Sequence, residues 1–215
     1  VFRQATGTWY RLNSSTSTFV GMQFGVTGDV PQAGDFDGDL KDDVAVWRPS
    51  TGMWYVIHST NGQFETNKFG QNGDRPIAGD YDGDGRDDLA VFRPSNGFWY
   101  RANSSNTDFS ALSFGVSTDM PAPADYDGDG RDDVAVFRPA DGNWYVLFSR
   151  NGQLYGVNFG QNGDVPVPGD YDGDGRDDPA VFRSGTWYML RSTAGFASQI
   201  VGVASDVPIP KNYIP

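Results

Sequence analysis

Apolar residues in this chain occur in short runs that are separated by clusters of glycine, proline, asparagine and aspartate. The run Val134 to Phe137, for example, follows an aspartate-rich segment and ends at an Arg-Pro step. No stretch keeps the apolar period of about 3.6 residues that a helix requires. Short apolar runs bounded by turn residues are typical of β-strands. The pattern therefore predicts an all-β protein.

An internal repeat organises the whole chain. The segment DFDGDLKDD, which begins at Asp35, returns as DYDGDGRDD at Asp80, Asp125 and Asp170, so the period is about 45 residues. Two other markers count five units rather than four. A Trp-Tyr pair begins at Trp9, Trp54, Trp99, Trp144 and Trp187. An arginine that follows an aromatic residue lies at Arg3, Arg48, Arg93, Arg138 and Arg183.

Each unit has room for four strands. In the second unit we place three of them at Val44–Arg48, Met53–His58 and Phe64–Phe69, and the equivalent of Arg75–Tyr81 supplies the first. Proline, glycine and the Asn61-Gly62 step provide the reversals between strands. Units of this length with four short strands are typical of β-propeller blades, which bury their faces against neighbouring blades.

The chain ends predict how the ring closes. The chain begins at a second strand, whereas residues 207–213 copy the first strand seen in residues 75–81. We therefore predict that residues 1–215 form one five-bladed β-propeller with four antiparallel strands per blade, closed when the C-terminal strand joins the N-terminal blade. An open solenoid of the same units is the alternative. Because the chain begins within a repeat, we expect a mature product or part of something longer.

The four aspartate segments have the spacing of calcium loops. Carboxylates at positions 1, 3, 5 and 9, with the carbonyl oxygen of position 7, can surround one hard cation. Oxygen donors without cysteine or histidine favour calcium over zinc or copper. The predicted ligands, about four ions in all, are Asp35, Asp37, Asp39, Lys41 and Asp43; Asp80, Asp82, Asp84, Arg86 and Asp88; Asp125, Asp127, Asp129, Arg131 and Asp133; and Asp170, Asp172, Asp174, Arg176 and Asp178.

Other positions in these loops refine the prediction. Gly85, Gly130 and Gly175 at position 6 permit a sharp reversal, whereas the first loop has Leu40 there, so we expect that loop to be strained or weaker. The aspartates at position 8 are expected to be exposed or paired with arginines. A merely solvated acidic surface is the alternative, but loops that hold most of the 28 acidic residues would repel without a counter-ion.

In these motifs the chain resembles the FG-GAP and VCBS-type repeats of bacterial surface proteins, which are related to the calcium-binding blades of the integrin α-subunit propeller. The marks are the DYDGDGRDD loops, the apolar strand after each, and the Phe-Gly steps such as Phe69-Gly70. The fifth unit departs, with Val201-Gly202 at that step. A helix after the loop, as in EF-hands, is disfavoured by the β-branched strand that follows. The resemblance implies an extracellular or cell-surface propeller for adhesion or recognition.

Composition removes several classes of function. The net charge of −12 would repel nucleic acid and anionic membranes. No apolar run reaches the ~18 residues of a membrane helix, so no membrane span is expected. The chain has no cysteine, hence no disulfide framework.

Catalysis is disfavoured, because the one histidine, His58, is not repeated and no nucleophile motif stands outside the loops. His58 is interpreted as an ordinary strand residue. The leading prediction is a lectin-like or adhesion module for carbohydrate or protein, with the tryptophans as core between blades rather than ligand contacts. The alternative is a structural protomer that self-assembles into an extracellular filament or surface array, and an accessory domain of a secreted enzyme ranks below both. Asn13 and Asn103 match glycosylation acceptors.

Overall fold

All regular elements of the described chain are β-strands. The computed structural model describes residues 2–13, 16–106, 108–204 and 208. These residues form five antiparallel sheets, four with four strands and one, at the N-terminus, with three. The predicted all-β fold with five propeller blades is confirmed. Within these residues no helix is long and apolar enough to cross a membrane.

Each sheet is one blade, and its strands pair in chain order. Blade 1 contains β1 (Phe2–Arg3), β2 (Thr8–Asn13) and β3 (Thr18–Gln23). Blade 2 contains β4 (Val30–Gly34), β5 (Asp43–Arg48), β6 (Met53–Ile57) and β7 (Phe64–Lys68). Blade 3 contains β8 (Arg75–Pro76), β9 (Leu89–Arg93), β10 (Phe98–Ala102) and β11 (Phe109–Ser113). Blade 4 contains β12 (Met120–Pro121), β13 (Val134–Arg138), β14 (Asn143–Leu147) and β15 (Leu154–Asn158), and blade 5 contains β16 (Val165–Pro166), β17 (Ala180–Arg183), β18 (Thr186–Arg191) and β19 (Gly195–Ile200).

The first strand of blade 3 is shorter than the predicted segment Arg75–Tyr81. Regular pairing ends at Pro76, although Ile77 N still donates to Ala90 O at 3.0 Å. The next amide, that of Ala78, points to the free edge of the strand, as alternate amides of an antiparallel strand do, and donates to Gln32 Oε1 of blade 2 at 3.3 Å. Pairing within the sheet resumes at the bridge between Gly79 and Asp88, so the innermost strand bonds to its own sheet along one edge and to the neighbouring blade along the other.

The hydrophobic core lies between the faces of adjacent blades. Trp47 and Trp54 of blade 2 form one buried cluster with Ala78 and Val91 of blade 3. Equivalent clusters join blade 3 to Val136 of blade 4 and blade 4 to Val181 of blade 5. The tryptophans are therefore core residues, as predicted, because a single blade is too thin to bury them alone.

Each buried tryptophan also fastens the hairpin of its own blade. Trp54 Nε1 donates to Phe69 O at 3.0 Å, and Trp99 Nε1 donates to Phe114 O at 2.8 Å. The turn glycine before the third strand approaches the same Phe-Gly step, since a Cβ on Gly52 would lie 2.3 Å from Gly70 O. The Phe-Gly step is therefore fixed by a close backbone contact that a larger side chain would prevent.

All five blades surround one central cavity of about 850 Å³. Its lining includes one proline from each repeat at the same position, namely Pro31, Pro76, Pro121, Pro166 and Pro208. Apart from Pro208, the predicted closing strand at residues 207–213 lies outside the described residues. Pro208 lines the cavity with its four counterparts, which is the position that closure of the ring requires.

Candidate metal centre

The four aspartate loops occupy the same place in four blades. They connect the first and second strands of blades 2 to 5 and are called loop 1 (residues 35–43), loop 2 (80–88), loop 3 (125–133) and loop 4 (170–178). Because the strands on both sides are held in the sheet, the loops have little freedom other than to fold back on themselves.

The carboxylate at position 1 organises each loop from the inside. In loop 2, Asp80 Oδ1 accepts the amide of Gly83 at 2.6 Å and Oδ2 accepts that of Gly85 at 2.9 Å. The same pair of bonds recurs around Asp35, Asp125 and Asp170. Gly85 has a φ of 84°, where glycine is favoured, and Leu40 takes the equivalent conformation with a φ of 66°. The strain expected in loop 1 is therefore present in its backbone.

The carboxylate at position 9 ties each loop to the hairpin beyond it. Asp88 is fully buried; its Oδ2 accepts the amide of Tyr81 at 3.1 Å and its Oδ1 that of Ser104 at 2.6 Å. Asp133 does the same with Tyr126 and Ser149. These bonds use one lone pair on each oxygen and fix the position of the carboxylate in the loop.

In loops 1, 3 and 4 the carboxylate at position 3 has incomplete hydrogen bonding. The Oδ1 atoms of Asp37, Asp127 and Asp172 are buried and accept no hydrogen bond. In loops 2 to 4, ligand atoms of positions 1, 3 and 9 all lie within 4.8 Å of one another. A buried oxygen without a donor, beside two further carboxylates, is the arrangement that a hard cation satisfies. The donor set therefore fits calcium.

In loops 2 to 4 the carboxylate at position 5 lies apart from the other predicted ligands. Asp84, Asp129 and Asp174 lie outside those three groups, and each accepts a serine hydroxyl from the adjoining hairpin. In loop 1, by contrast, Asp39 groups with Asp35 and Asp37. Its pKa falls to about 2, because hydrogen bonds from Lys41, Thr60 and Ser59 outweigh the rise that burial causes. Ligation by position 5, and by the carbonyls of Lys41, Arg86, Arg131 and Arg176, remains a prediction.

The electrostatics of the loops call for positive charge. Burial raises the pKa of Asp88 and of Asp133 to about 6, although each accepts two amide bonds that pull it down. The neighbouring charges of Asp82 and Asp127 add to the rise. A carboxyl group that holds its proton this firmly is a poorly compensated anion, and a bound divalent cation would provide the compensation.

The position 8 aspartates join one loop to the next, so the expectation of exposed or arginine-paired side chains was wrong for three of them. Asp87 Oδ2 accepts the amide of Asp35 at 2.9 Å, and the amide of Asp87 donates to Asp35 O at 2.7 Å. The same exchange links Asp132 to Asp80 and Asp177 to Asp125. Asp42, which begins the row, is exposed as predicted.

His58 belongs to the metal loops rather than to an ordinary strand surface. Its ring is buried, with Nδ1 3.2 Å from Asp43 Oδ2 and Nε2 2.9 Å from Glu65 Oε2. Burial lowers the pKa of His58, but the bonds and charges of Glu65 and Asp43 outweigh burial and raise it. Sequence reasoning missed this contact because it depends on the pairing of β5 with β6, which sets Asp43 opposite position 58 within blade 2.

The repeated arginines have a structural role. Arg48 holds the buried Asp29 through two bonds of 2.8 and 2.9 Å, and its guanidinium lies over the Tyr55 ring at 4.4 Å. The same arrangement recurs with Asp74 and Arg93, Asp119 and Arg138, and Asp164 and Arg183. These aspartates escaped notice, although each precedes its arginine by a constant spacing. The arginines are therefore anchors for strand ends.

One apolar position on the outermost strand of every blade is exposed. These residues are Phe19, Phe64, Phe109, Leu154 and Phe196, with exposed fractions between 57% and 69%. Phe64 stacks on Tyr55 with ring centres 6.3 Å apart, and Phe24 of blade 1 meets it edge-on at 6.2 Å. Blade 3 repeats this grouping with Phe109, Tyr100 and Phe69. A shallow aromatic shelf therefore lies between the rims of adjacent blades.

The model of the FG-GAP-like repeat matches residues 35–91 and 80–136. The chain carries FG-GAP-like repeats. Each matched FG-GAP repeat begins with a complete aspartate loop and ends in the second strand of the following blade. The resemblance inferred from the loops and the Phe-Gly steps is therefore confirmed. No curated protein matches the chain in sequence.

Solved propellers of different function share the fold of these FG-GAP repeats. Virginiamycin B lyase from Staphylococcus aureus aligns with a TM-score of 0.59 and 12% identity, over 96% of this chain and 67% of the lyase. A streptogramin B lyase gives 0.59 and 9% over 92% and 63%. An Agrocybe aegerita lectin that recognises non-reducing terminal N-acetylglucosamine gives 0.53 and 17% over 80% and 52%. The chain thus spans about two thirds of the lyases' length, and at these identities the likeness shows the fold alone.

Proposed function

We propose that this chain is a non-catalytic, calcium-stabilised recognition module that works outside the cell and binds carbohydrate on its exposed aromatic shelves. The observation that carries the proposal is the exposed ring or leucine at the same position on every outermost strand. None of these side chains belongs to the buried clusters between the described blades, and more than half of each is exposed. Regularly spaced exposed apolar groups mark binding surfaces.

The shelf between blades 1 and 2 has the chemistry of a sugar platform. The face of a pyranose ring carries C–H groups that pack on an aromatic ring, and Phe64 offers such a ring with Tyr55 behind it. The hydroxyl of Tyr55 accepts a bond from Arg48 Nη1 at 3.0 Å. Polar groups therefore border the apolar platform, which is the combination that pyranose sugars require.

Repetition around the ring compensates for the shallow shape of each shelf. An open platform gives weak binding to one sugar, but several platforms on one rigid body can engage a branched or repeated glycan together. The net charge of −12 opposes acidic glycans, so neutral sugars are the proposed ligands. The lectin of similar fold supports this choice only in showing that a propeller can present a sugar site.

Calcium is proposed for loops 2 to 4, whose three-carboxylate groups are equivalent. Shared positions 1, 3 and 9 and the unsatisfied oxygens of Asp127 and Asp172 support this assignment. Loops of modest affinity fill at the ~1 mM calcium found outside cells, which is the reason for proposing an extracellular location.

Binding to a glycan array by labelled, calcium-loaded protein tests the sugar proposal. We expect saturable binding to neutral glycans, and at least a tenfold loss in the variant F19A/F64A/F109A. The matched control is I200A, which removes an exposed aliphatic side chain from the outermost strand of blade 5. It should bind as the parent does, and circular dichroism should show the same fold for all three proteins.

Three results would contradict the proposal in different ways. Absence of binding to any glycan, or equal binding by the triple variant, would remove the carbohydrate function. Binding to a protein ligand that is lost in F19A/F64A/F109A would keep the shelves as the site and change the ligand. Regular polymers in electron micrographs without sugar binding would favour the structural protomer instead.

A further inference from the structure

Loop 1 differs from the other three loops in its chemistry as well as its backbone. We propose that Asp37, Asp43 and His58 form a separate site for a transition-metal ion of the zinc type. Ligand atoms of these three residues lie within 4.8 Å of one another. The inference goes beyond the proposed calcium and sugar binding, and neither of those depends on it.

Only blade 2 brings an imidazole to its aspartate loop. The residues at the equivalent position of blades 3, 4 and 5 are Asn103, Phe148 and Arg191. A neutral imidazole nitrogen is a good ligand for zinc and related ions and a poor one for calcium, which prefers oxygen. The donor set of loop 1 therefore selects a different class of metal from its neighbours.

The distances suit a small tetrahedral ion. Two ligand atoms at about 2.0 to 2.1 Å from one tetrahedral metal are roughly 3.3 Å apart. His58 Nδ1 lies 3.2 Å from Asp43 Oδ2 and 3.7 Å from Asp37 Oδ2. The second oxygen of Asp37 is buried without a hydrogen bond, so this side chain has capacity left for a cation.

The ring nitrogen on the far side of the imidazole is hydrogen-bonded to a carboxylate, as is usual for a histidine that binds a metal. His58 Nε2 lies 2.9 Å from Glu65 Oε2, and Asn67 Nδ2 donates to the other oxygen of Glu65 at 2.6 Å. A carboxylate that accepts the Nε2 proton leaves the Nδ1 lone pair directed at Asp37 and Asp43. Without a metal, a proton on Nδ1 satisfies this lone pair by bonding to Asp43, and a metal ion would replace that proton.

Calcium has weaker support in loop 1 than elsewhere. The ammonium of Lys41 lies 3.1 Å from Asp39 Oδ2 and offsets part of the charge at position 5. Leu40 holds a backbone conformation that glycine holds in the other loops. Both features should lower the affinity of loop 1 for calcium, which needs many oxygen ligands, and neither involves His58.

Cobalt titration of the full chain tests the site. Metal-stripped protein is titrated with Co²⁺ in excess calcium, and the visible absorption reports the coordination. We expect one Co²⁺ per chain with the intense bands of a tetrahedral site, displaced by one equivalent of Zn²⁺. H58N should bind at least tenfold more weakly, and E65Q should bind about 10- to 100-fold more weakly with the same stoichiometry. Asparagine is native at this position in blade 3, so H58N should fold.

N103A is the matched control, because it alters the same position of a blade without an imidazole, and its Co²⁺ affinity should equal that of the parent chain. Absence of a stoichiometric Co²⁺ site would overturn the proposal, as would equal affinity in H58N. If His58 acted only as a buried cation, H58N would lower Tm and leave Co²⁺ binding unchanged. Sugar binding by H58N, measured in parallel, separates this outcome from failure of the recognition function.

Discussion

Replacing a single carboxylate in the loops should change the stability of the protein in opposite directions with and without calcium. Asp127 has a buried oxygen without a hydrogen bond, and burial together with the charge of Asp129 raises its pKa. In chelator, D127N should therefore be neutral or stabilising, because it removes a charge that the exposed Arg150, 3.7 Å away, compensates only in part. In ~1 mM calcium it should lose about 0.4 to 1.4 kcal/mol, the contribution of one weak site.

Urea unfolding of D127N in calcium and in chelator measures this reversal. D108N is the control, since Asp108 is exposed and lies outside the loops, and its effect should be small and the same in both buffers. A change of equal sign and size for D127N in both buffers would show that Asp127 is not a ligand.

Replacing Leu40 with glycine should stabilise the protein. Leucine at a φ of 66° costs about 1 to 2 kcal/mol, and its side chain is 89% exposed, so no packing offsets that cost. Glycine removes this strain, but it also raises the conformational entropy of the unfolded chain, which offsets part of the gain. L40G should therefore raise the free energy of unfolding by about 0.5 to 1 kcal/mol. The reciprocal variant G85L should lower it. Thermal unfolding in chelator isolates the backbone effect, and a destabilised L40G would contradict it.

The contrast between Leu40 and His58 shows what the sequence can and cannot predict at this scale. Comparison with Gly85 was enough to predict the strain at Leu40, because backbone conformation follows the local repeat. No local rule placed His58 beside Asp43, since the contact joins positions on different strands. The shelves of Phe64 and Phe109 escaped prediction for a related reason: an apolar residue in a strand does not reveal which face is covered.

At the scale of elements, the anchors between Asp and Arg should be costly to break. Asp74 is buried and holds Arg93 through bonds of 2.7 and 2.9 Å. R93A leaves that carboxylate buried without its partner, and we expect a loss of about 3 kcal/mol in the free energy of unfolding. R11A, at an exposed arginine, should change it by less than about 0.5 kcal/mol. Chemical denaturation compares them, and similar small losses would show that the amide of Gln71, which also bonds Asp74, suffices.

The strands themselves were largely predictable. Met53–Ile57 and Phe64–Lys68 agree with the predicted segments to within one residue, because turn residues bound them closely. The innermost strand was predicted too long: continuous pairing ends at Pro76, only the bridge between Gly79 and Asp88 follows, and the amide of Ala78 bonds to Gln32 of another blade. A bond across blades is invisible in a pattern read along one repeat.

At the scale of the whole molecule, removal of calcium should lower Tm. Three loops that each contribute about 0.4 to 1.4 kcal/mol give roughly 1 to 4 kcal/mol in ~1 mM calcium. For a domain of this size, Tm should fall by roughly 3 to 15 °C in chelator. Scanning calorimetry measures the shift, with magnesium in place of calcium as the control. An unchanged midpoint would contradict a stabilising role for calcium.

The metal-free protein should also show an inverted dependence on pH. The pKa of Asp88 and of Asp133 is about 6 in the folded chain, above the usual 3.8, so these groups bind protons more tightly when folded. Their favourable contribution is complete below pH ~4 and is lost as the pH rises through about 6. In chelator, Tm should therefore be higher at pH 5 than at pH 7. In calcium the order should reverse, because protons compete with the ion for the carboxylates.

The bonds between consecutive loops have a thermodynamic consequence for ion uptake. Asp87 of loop 2 accepts a hydrogen bond from the backbone of Asp35 in loop 1. In the same way Asp132 of loop 3 bonds to loop 2, and Asp177 of loop 4 bonds to loop 3. An ion that orders one loop thereby positions the first ligand of the loop before it. By reciprocity each occupied loop raises the affinity of its neighbours. Calcium should therefore enter cooperatively, and a lesion in loop 3 should weaken binding at loops that it does not itself complete.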